Sequence, residues 1–381
     1  MGNRIGAVMT VVVLSLSSCT ADEPPDAAPP SPGDTESVAP LISSLPDECG
    51  SLGRAPRRGQ VTFIRGGKLY ASSSDGEGVL CLGRAPEGGH PAWGGLGDRL
   101  FLTLSGSRGR MLFPDKDVTL EPGLMRPISF GLSRPRGLSV LFASADRRRL
   151  YKMPATGGRL EDISFLKRHD EAVYHPAGEH IAVVGERRDG KYGIFLATNL
   201  GTDPQLLVVG EDAKRIYSLS FAPNGFLYYA AEHEDRYDVH GVSLLPTPAG
   251  KVDTDRLETY YSSPDVITKV VSSPFHDEGE LAIEVGTDGD GCPSRTVLYT
   301  PRNKEQDLPF DTLTSTEPIA WMPNRDLVFT TLDDETCDTT GDVYVYDGTA
   351  DLLIEDARTV AVRGIYRAAP DPPNVLPEVV A

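Results

Sequence analysis

Four cysteines in the body of the chain have the number and spacing for two disulfide bonds. They are Cys49, Cys81, Cys292 and Cys337. An even number of cysteines is typical of exported proteins that fold in an oxidising compartment, and four cysteines allow three pairings. The chain contains no C-x-x-C pair and no Cys/His spacing typical of a zinc site. The expected chemistry of these thiols is therefore oxidation to disulfides.

Two short acidic segments in the second half of the chain could bind a hard cation. One holds Asp288 and Asp290, and the other begins with Asp333 and Asp334. Carboxylate oxygens are the ligands that calcium prefers. The sequence Asp-Gly-Asp-Gly at 288–291 lacks the third acid and the closing glutamate of an EF-hand loop. A calcium site and a pair of solvated acidic loops therefore both remain open.

Six basic residues recur at corresponding places in an acidic chain of formal net charge -18. Each lies near the start of an apolar segment. They are His90, Arg126, His169, Arg215, Lys269 and Arg358. If the fold brings these starts together at the mouth of one channel, the six residues form a site for an anionic ligand. The alternative is that they lie in solvent-exposed loops, which accept any charge.

Sequence motifs of known catalytic sites are absent. The chain has no G-x-S-x-G nucleophile elbow and no H-E-x-x-H zinc motif. The strongly acidic composition opposes nucleic-acid binding, which requires a basic surface. Whether the protein is an enzyme therefore stays open, and the sequence favours a protein that is not one.

The N-terminal residues have the pattern of an export signal. Arg4 precedes an apolar run at 8–16, which is shorter than the roughly 20 residues a spanning helix needs. Leu16-Ser17-Ser18-Cys19 then resembles the lipobox of bacterial lipoproteins. This resemblance implies a signal peptide at 1–18 and lipidation of Cys19 with acyl chains such as palmitate. The chain would then be held on the extracytoplasmic face of a bacterial cell membrane by its lipid anchor only.

Two segments of the chain are rich in proline and read as flexible. Residues 19–46 contain prolines and acids but no aromatic residue, and such a composition cannot bury enough apolar surface to offset ordering. They are expected to form a disordered tether. Residues 368–381 are expected to form a loose C-terminal tail.

A repeated sequence pattern predicts the elements that position these residues. It consists of an aromatic or small residue, a turn with Pro, Gly or Asn, and then an apolar strand, with copies beginning at 92, 173, 220, 272 and 320. Its spacing of roughly 40–50 residues is that of four-stranded propeller blades. One blade cannot bury its faces alone, so the repeat predicts a closed ring.

The two ends of the repeat region predict how the ring closes. Complete blades are expected at 88–121, 125–165, 169–210, 215–262, 267–310 and 315–356. Strands at 60–64, 68–71 and 79–82 lack a first strand, and 359–363 reads as a first strand without a blade. Pairing the ends gives an all-β, seven-bladed β-propeller over 47–367, with six or eight blades as alternatives.

The repeat resembles the TolB-type propeller repeat, a relative of the WD40 repeat. The copies at 174–178 and 221–225 carry the likeness, although both depart from the family's Ser-Pro-Asp-Gly turn. The resemblance covers about 60–366. It implies the architecture and little about function, because propellers host both binding and catalysis.

The repeat also selects among the cysteine pairings. Cys292 and Cys337 lie between the second and third strands of adjacent blades, so their loops should emerge side by side on one face. Cys81 ends the first blade at its rim, where a bond to Cys49 would attach the tether to the ring. The predicted disulfides are therefore Cys292–Cys337 and Cys49–Cys81.

Together these features favour a binding or scaffold protein. We expect a membrane-anchored, extracytoplasmic propeller that presents a rigid ring to a protein or a cell-envelope polymer. The alternative is a hydrolase or lyase, lactonase-like or glycan-active, with its site at the mouth of the central channel. No cofactor is expected apart from the calcium hypothesis. The choice between inner and outer membrane and the oligomeric state stay open.

Overall fold

The computed structural model describes most of the repeat region. The described residues are 39–50, 61–85, 90–93, 100–104, 108–112, 117–120, 125–133, 137–154, 158–175, 178–210, 212–222, 225–244, 257–273, 280–286, 294–300, 306–307, 316–322, 325–332 and 341–362. They form strands, turns and bends, and none of the described residues lies in a helix. The described residues therefore contain no helix that is long and apolar enough to cross a membrane.

The strands assemble into seven antiparallel sheets of four strands each. The first sheet consists of β1 (Val61–Arg65), β2 (Lys68–Ser72), β3 (Leu80–Arg84) and β28 (Arg358–Val362). The second consists of β4 (His90–Trp93), β5 (Leu100–Leu104), β6 (Arg108–Leu112) and β7 (Asp117–Leu120). The third consists of β8 (Met125–Ser133), β9 (Gly137–Ser144), β10 (Leu150–Pro154) and β11 (Glu161–Asp162).

The remaining four sheets follow in chain order. The fourth consists of β12 (Arg168–Tyr174), β13 (His180–Glu186), β14 (Tyr192–Thr198) and β15 (Gln205–Val209). The fifth consists of β16 (Arg215–Phe221), β17 (Phe226–Glu232), β18 (Tyr237–Ser243) and β19 (Leu257–Ser263). The sixth consists of β20 (Ile267–Ser272), β21 (Leu281–Gly286), β22 (Ser294–Tyr299) and β23 (Gln306–Asp307). The seventh consists of β24 (Thr316–Trp321), β25 (Leu327–Thr331), β26 (Val343–Tyr346) and β27 (Ala350–Ile354).

One edge strand of each sheet takes part in contacts with the corresponding strand of a neighbouring sheet, and six such pairs of neighbours are in contact. We call these the inner strands: β4, β8, β12, β16, β20, β24 and β28. Contacts join β28 to β4, β8 to β12, β12 to β16, β16 to β20, β20 to β24, and β24 to β28. This succession is that of a β-propeller, in which blades are arranged around a central axis. The predicted all-β propeller architecture is therefore confirmed.

The two ends of the repeat region pair in one sheet, as the sequence predicts. The spatial order of the first sheet is β28-β1-β2-β3. Val61 pairs with Val362 and Phe63 pairs with Val360 across the antiparallel junction of β1 and β28. The pairing satisfies an edge of β1 that would otherwise be open to other chains.

The apolar core lies between neighbouring sheets. Ala182 and Val184 of β13 belong to one buried cluster with Leu227 and Tyr229 of β17, in the adjacent sheet. Five consecutive residues in the middle of β13 are buried, so both faces of that strand are covered. A strand covered on both faces reads as a continuous apolar run, which explains the Ile-Ala-Val-Val sequence of β13.

The turns of the repeated pattern have a common geometry. The backbone N–H of Gly178 donates to the carbonyl of His175, and Gly225 donates to Ala222 in the same way. Both glycines have positive φ, 77° and 81°, a conformation that other residues adopt only with strain. Arg325 takes the corresponding position in the seventh sheet with φ 81°. Gly178 and Gly225 therefore form this turn without strain, whereas Arg325 adopts the same conformation at a cost.

The aromatic residues before these turns pack between sheets. Trp93 is 9% exposed and lies in a cluster with Ala361 of the adjacent sheet. Trp321 donates its indole N–H to the carbonyl of Val271 on the neighbouring inner strand, with 3.4 Å between the atoms. These residues fix the spacing of adjacent sheets.

The segment before β1 crosses the junction between the seventh and first sheets. The backbone N–H groups of Leu41 and Ile42 donate to the carbonyls of Leu352 and Leu353 in β27. The Ile42 side chain is 3% exposed and packs in the cluster between these two sheets. Contact with the ring thus begins within the segment that the sequence assigns to the tether.

The Cys49–Cys81 disulfide is present, as predicted. It joins this segment to β3 with a Cα–Cα distance of 4.6 Å. Hydrogen bonds to β27 and a disulfide to β3 connect the outer strands of the two sheets at the closure. We call residues 39–50 the strap.

Candidate functional site

The inner strands carry irregularities that the sequence pattern does not reveal. Pairing with the second strand shifts register in six sheets, and in each case the inner strand carries the extra residue or residues. The residues passed over in this way are Ile128, Asp170, Ser218, Leu219, Thr268, Ile319 and Thr359. Such bulges bend a strand and redirect its side chains, and they are frequent next to functional sites.

A cavity of about 450 Å³ lies where four inner strands approach one another. Its wall includes residues of β4 and β20 and of β24 and β25, namely Pro91, Trp93, Lys269, Glu317, Ile319, Ala320 and Thr330. The rest of the wall comes from residues 359–362 of β28. The closing strand of the ring is therefore also a wall of this cavity.

One ion pair crosses the wall of the cavity between neighbouring inner strands. Lys269 Nζ lies 2.7 Å from Glu317 Oε1, with the two side chains 33% and 21% exposed. Thr359 Oγ1 is buried at the same cavity and has no hydrogen-bond partner among the described residues. The cavity thus presents a cation, an anion and a hydroxyl to a ligand, beside an apolar and aromatic surface.

The predicted basic residues do lie on inner strands, as the ring hypothesis requires. His90, Arg126 and Arg358 are at or next to the first residues of β4, β8 and β28. Their side chains are outside the described part of the structure. Of the three described residues, only Lys269 lines the cavity.

His169, one of the predicted ligand residues, makes its described contacts within the fold. Its side chain is fully buried, and Nε2 accepts hydrogen bonds from the backbone N–H groups of Phe165 and Leu166 at 3.4 and 3.2 Å. Nδ1 lies 3.3 Å from the carbonyl oxygen of Arg147. Burial lowers the pKa of His169, which keeps the ring neutral. His169 therefore holds the loop before β12, and we do not assign it to a ligand.

Arg215 takes part in a local contact instead of the cavity. Its guanidinium lies 4.7 Å from the ring centroid of Tyr217, a cation–π arrangement. The residue is exposed at the start of β16. The predicted cluster of basic residues is thus represented, among described side chains, by Lys269 and its partner Glu317.

The remaining predicted sites lie outside the described residues. They are Cys19, Cys292, Cys337, Asp288, Asp290, Asp333 and Asp334. The lipidation, the second disulfide and the calcium hypothesis therefore stay predictions.

Glu171 of the inner strand β12 is hydrogen-bonded to the neighbouring inner strand β16. Its carboxylate accepts hydrogen bonds from the backbone N–H groups of Ser218 and Leu219, both at 2.7 Å, at the bulge of β16. Burial raises the pKa of Glu171 above its usual value. This carboxylate provides the acceptor for two backbone donors that the bulge removes from the strand ladder.

Replacing Glu171 with leucine is expected to lower the free energy of unfolding by about 2–3 kcal/mol. The change leaves two buried N–H groups without an acceptor, and such groups are costly. Glu171→Gln retains one carbonyl oxygen and should lose clearly less. Chemical denaturation of the three proteins measures the difference; equal losses in both variants would contradict this role.

His175 gives the fold a dependence on acid. Its ring packs edge-on against Phe221 of the next inner strand, with the centroids 5.0 Å apart. Burial, followed by the nearby charge of His180, lowers its pKa from 6.5 to about 4. The unfolded chain therefore takes up this proton at a higher pH than the folded chain does.

We expect the contribution of His175 to stability to be complete above about pH 6.5 and to decline as the pH falls towards 4. The loss is about 2–3 kcal/mol, because one unit of pKa shift corresponds to about 1.4 kcal/mol. Denaturation curves at pH 7, 6, 5 and 4 for wild type and His175→Gln measure it. A glutamine variant that loses as much stability on acidification as wild type would disprove the assignment.

One group of polar residues was not singled out by the sequence analysis. His233, Asp238 and His240 each offer one ligand atom, and these atoms all lie within 4.8 Å of one another. The signal that could have revealed them is the two-residue spacing of Asp238 and His240. That spacing places both on one face of a strand, directly after a turn that contains another histidine.

Comparison with known proteins identifies the fold. No protein-family model and no functionally curated protein matches the sequence. A TolB protein from Agrobacterium tumefaciens matches 64% of this chain and 86% of its own at 16% identity, with a TM-score of 0.47.

Two further solved structures have higher TM-scores. A puromycin hydrolase has a TM-score of 0.54 at 13% identity over 72% of this chain, which spans about half of the hydrolase (49%). An oligogalacturonate lyase in complex with manganese has a TM-score of 0.51 at 11% identity, over 69% of this chain and 79% of its own. At these identities the likeness shows the β-propeller fold alone.

Proposed function

We propose that this chain is a binding propeller that holds part of a protein or cell-envelope polymer at its central cavity. The observation that carries the proposal is the cavity lined by β4, β20, β24 and β28, with Lys269 and Glu317 paired at its wall. Apolar walls with a few convergent polar groups are typical of ligand sites.

The charges at the cavity refine the kind of ligand. Lys269 is paired with Glu317 at 2.7 Å, so the described wall offers a carboxylate as well as an ammonium group. We infer that the bound group carries both an acceptor and a donor, as a polypeptide segment or a peptide-bearing polymer does. The basic residues in the sequence predict an anionic ligand, whereas the ligand proposed here carries groups that match both Lys269 and Glu317.

Binding is favoured over nucleophilic catalysis by the composition of the described wall. Among the described residues that line the cavity, none is a serine, cysteine or histidine. Of its hydroxyl groups, Thr330 Oγ1 donates to the backbone carbonyl of Asp342 and Thr359 Oγ1 has no described partner that would take its proton. The support for the hydrolase or lyase alternative is that a puromycin hydrolase and an oligogalacturonate lyase share this fold. Fold alone does not transfer an activity.

A cavity-filling variant tests the proposal. Ile319, at the bulge of β24, lines the cavity, whereas Val209 is 53% exposed on the outer strand β15. The full-length chain and the variants Ile319→Trp and Val209→Trp are each used to capture partners from envelope extracts with quantitative mass spectrometry. We expect a partner retained by wild type and Val209→Trp and lost with Ile319→Trp. A partner captured equally by all three would show that binding occurs elsewhere.

We infer further that each four-stranded sheet is one blade, giving seven blades in one ring. The seven sheets and the pairing of β28 with β1 support this count. A ring of this kind would hold the inner strands in a fixed arrangement around the cavity.

We also propose that the propeller is anchored by a lipid on Cys19 outside the cytoplasm of a bacterial cell. The lipobox-like sequence before Cys19 and the Cys49–Cys81 disulfide support this location, because stable disulfides belong to oxidising compartments.

Cys19→Ala is expected to abolish lipidation and release the protein from the membrane fraction. Metabolic labelling with a fatty acid and detergent phase partitioning provide the measurement, with Cys292→Ala as the matched cysteine control. Membrane retention and label incorporation in Cys19→Ala equal to those of wild type would refute the anchor.

A further inference from the structure

Two histidines and an aspartate converge at one end of the hairpin formed by β17 and β18. His233 lies in the turn, and Asp238 and His240 belong to β18. Asp238 Oδ2 is 3.2 Å from His233 Nε2 and 3.8 Å from His240 Nε2. Asp238 is 2% exposed and His240 is 9% exposed, so the cluster is largely shielded from solvent.

The hydrogen bonding of His233 leaves one nitrogen facing the carboxylate. Nδ1 lies 3.1 Å from the backbone carbonyl oxygen of Asp212. A carbonyl only accepts, so Nδ1 carries the hydrogen and Nε2 of the neutral ring has a free lone pair. Nε2 is buried and has no hydrogen-bond partner among the described residues. A lone pair and a carboxylate oxygen at 3.2 Å repel each other unless a cation lies between them.

The other two residues are held in the same way from behind. His240 Nδ1 lies 3.1 Å from Thr259 Oγ1, a hydroxyl that both donates and accepts, so this contact orients the ring without selecting its tautomer. Ser262 Oγ donates to Asp238 Oδ1 at 2.7 Å and leaves Oδ2 for the histidines. Outer hydrogen bonds that fix imidazole tautomers and carboxylate orientation are typical of metal ligands.

We propose that His233 Nε2, His240 Nε2 and Asp238 Oδ2 bind a divalent transition-metal ion, of which Zn²⁺ is the representative. Bonds of about 2.0–2.1 Å in a tetrahedral site place ligand atoms about 3.3–3.4 Å apart. The two distances from Asp238 Oδ2 are 3.2 and 3.8 Å, and all three ligand atoms lie within 4.8 Å of one another, so the histidine side chains must move closer together to reach this geometry. Two imidazoles select zinc, iron, cobalt or nickel over calcium and magnesium.

Arg236 competes with the metal for the carboxylate. Its Nε lies 2.9 Å from Asp238 Oδ2, and its side chain is 54% exposed. An exposed arginine can turn into solvent when a metal takes its place. The three protein ligands then leave a fourth position open on the Arg236 side, as in metal sites that bind water or a substrate.

Isothermal titration of Zn²⁺ into the full-length chain tests the site. The protein is purified without a polyhistidine tag, stripped with a chelator and kept in detergent. The variants are His233→Gln, Asp238→Asn and Arg236→Ala, with His180→Gln as a histidine control outside the cluster, and Ca²⁺ is titrated in parallel.

We expect one Zn²⁺ per chain at this cluster, and any Ca²⁺ binding should be the same in wild type and His233→Gln. His233→Gln and Asp238→Asn should weaken Zn²⁺ binding by about 100-fold or more, because even outer-shell partners contribute 10–100-fold. His180→Gln should leave it unchanged, and Arg236→Ala should strengthen it roughly tenfold by removing a competing cation.

His233→Gln separates the metal site from a folding defect, since His233 lies in a turn and its Nε2 makes no described hydrogen bond. Absence of Zn²⁺ binding by wild type, or equal affinity in wild type and His233→Gln, would overturn the proposal. In that case a proton on His233 accounts for its contact with Asp238.

Discussion

Ending the chain after Ala357, which removes β28, is expected to prevent the propeller from folding. Val61 and Phe63 of β1 are fully buried and pair with β28, so the deletion exposes both their side chains and their edge. It also removes residues 359–362 from the cavity wall. The loss should exceed about 5 kcal/mol, which is comparable to the whole stability of many domains.

Circular dichroism and size-exclusion chromatography measure this effect. A chain that ends after Arg367 retains β28 and serves as the control. We expect the control to give a cooperative melt and the shorter chain to aggregate or lack one. A shorter chain that melts within a few degrees of the control would show that β28 does not close the ring.

Replacing Cys49 and Cys81 together with alanine is expected to lower the free energy of unfolding by about 3–4 kcal/mol. The bond closes a loop with a sequence separation of 32 residues, and loops of this length give that magnitude in the chain-entropy account. The strap would still hold its two hydrogen bonds to β27, at 2.8 and 2.9 Å, but no longer be fixed to β3. Urea denaturation provides the measurement.

Reductant supplies the control for the disulfide prediction. Wild type should lose at least this much stability when reduced, and any further loss of the double variant in reductant measures the predicted Cys292–Cys337 bond. If the oxidised wild type and the double variant unfold at the same urea concentration, the strap does not secure the closure.

The sequence predicted the architecture because the turns of the repeat require particular residues. Gly178 and Gly225 occupy left-handed positions in equivalent turns, and the apolar runs that follow them form the second strands. The strands at the two ends of the repeat region each lack a partner in their own segment, and in a ring they pair with each other. Both kinds of information are local and therefore visible in the sequence.

The site could be predicted only in part, because it depends on contacts between sheets. The sequence places Lys269 on an inner strand, but its pairing with Glu317 depends on the register of two strands in different sheets. Bulges alter that register, and no residue type announces them. The contacts of His169 could not be predicted for a related reason, since the Arg147 carbonyl that faces its Nδ1 belongs to the preceding sheet.

The cluster of His233, Asp238 and His240 has neither the cysteine spacing nor the run of acidic residues that indicates a metal site in a sequence. Its ligands come from a turn and the following strand, and Asp212 and Thr259 complete it from neighbouring segments. The two-residue spacing on β18 was visible, but its convergence with His233 required the hairpin geometry.

Hydrogen exchange followed by mass spectrometry most directly tests the pairing of β28 with β1, on which the arrangement of the inner strands and the cavity depends. Peptides that cover 358–362 and 61–65 are compared in the native protein, with the denatured chain as the reference for free exchange. We predict that both segments exchange slowly and at similar rates, because their amides belong to one sheet. Exchange of 358–362 at the rate of the denatured chain, while 61–65 stays protected, would contradict the closed ring.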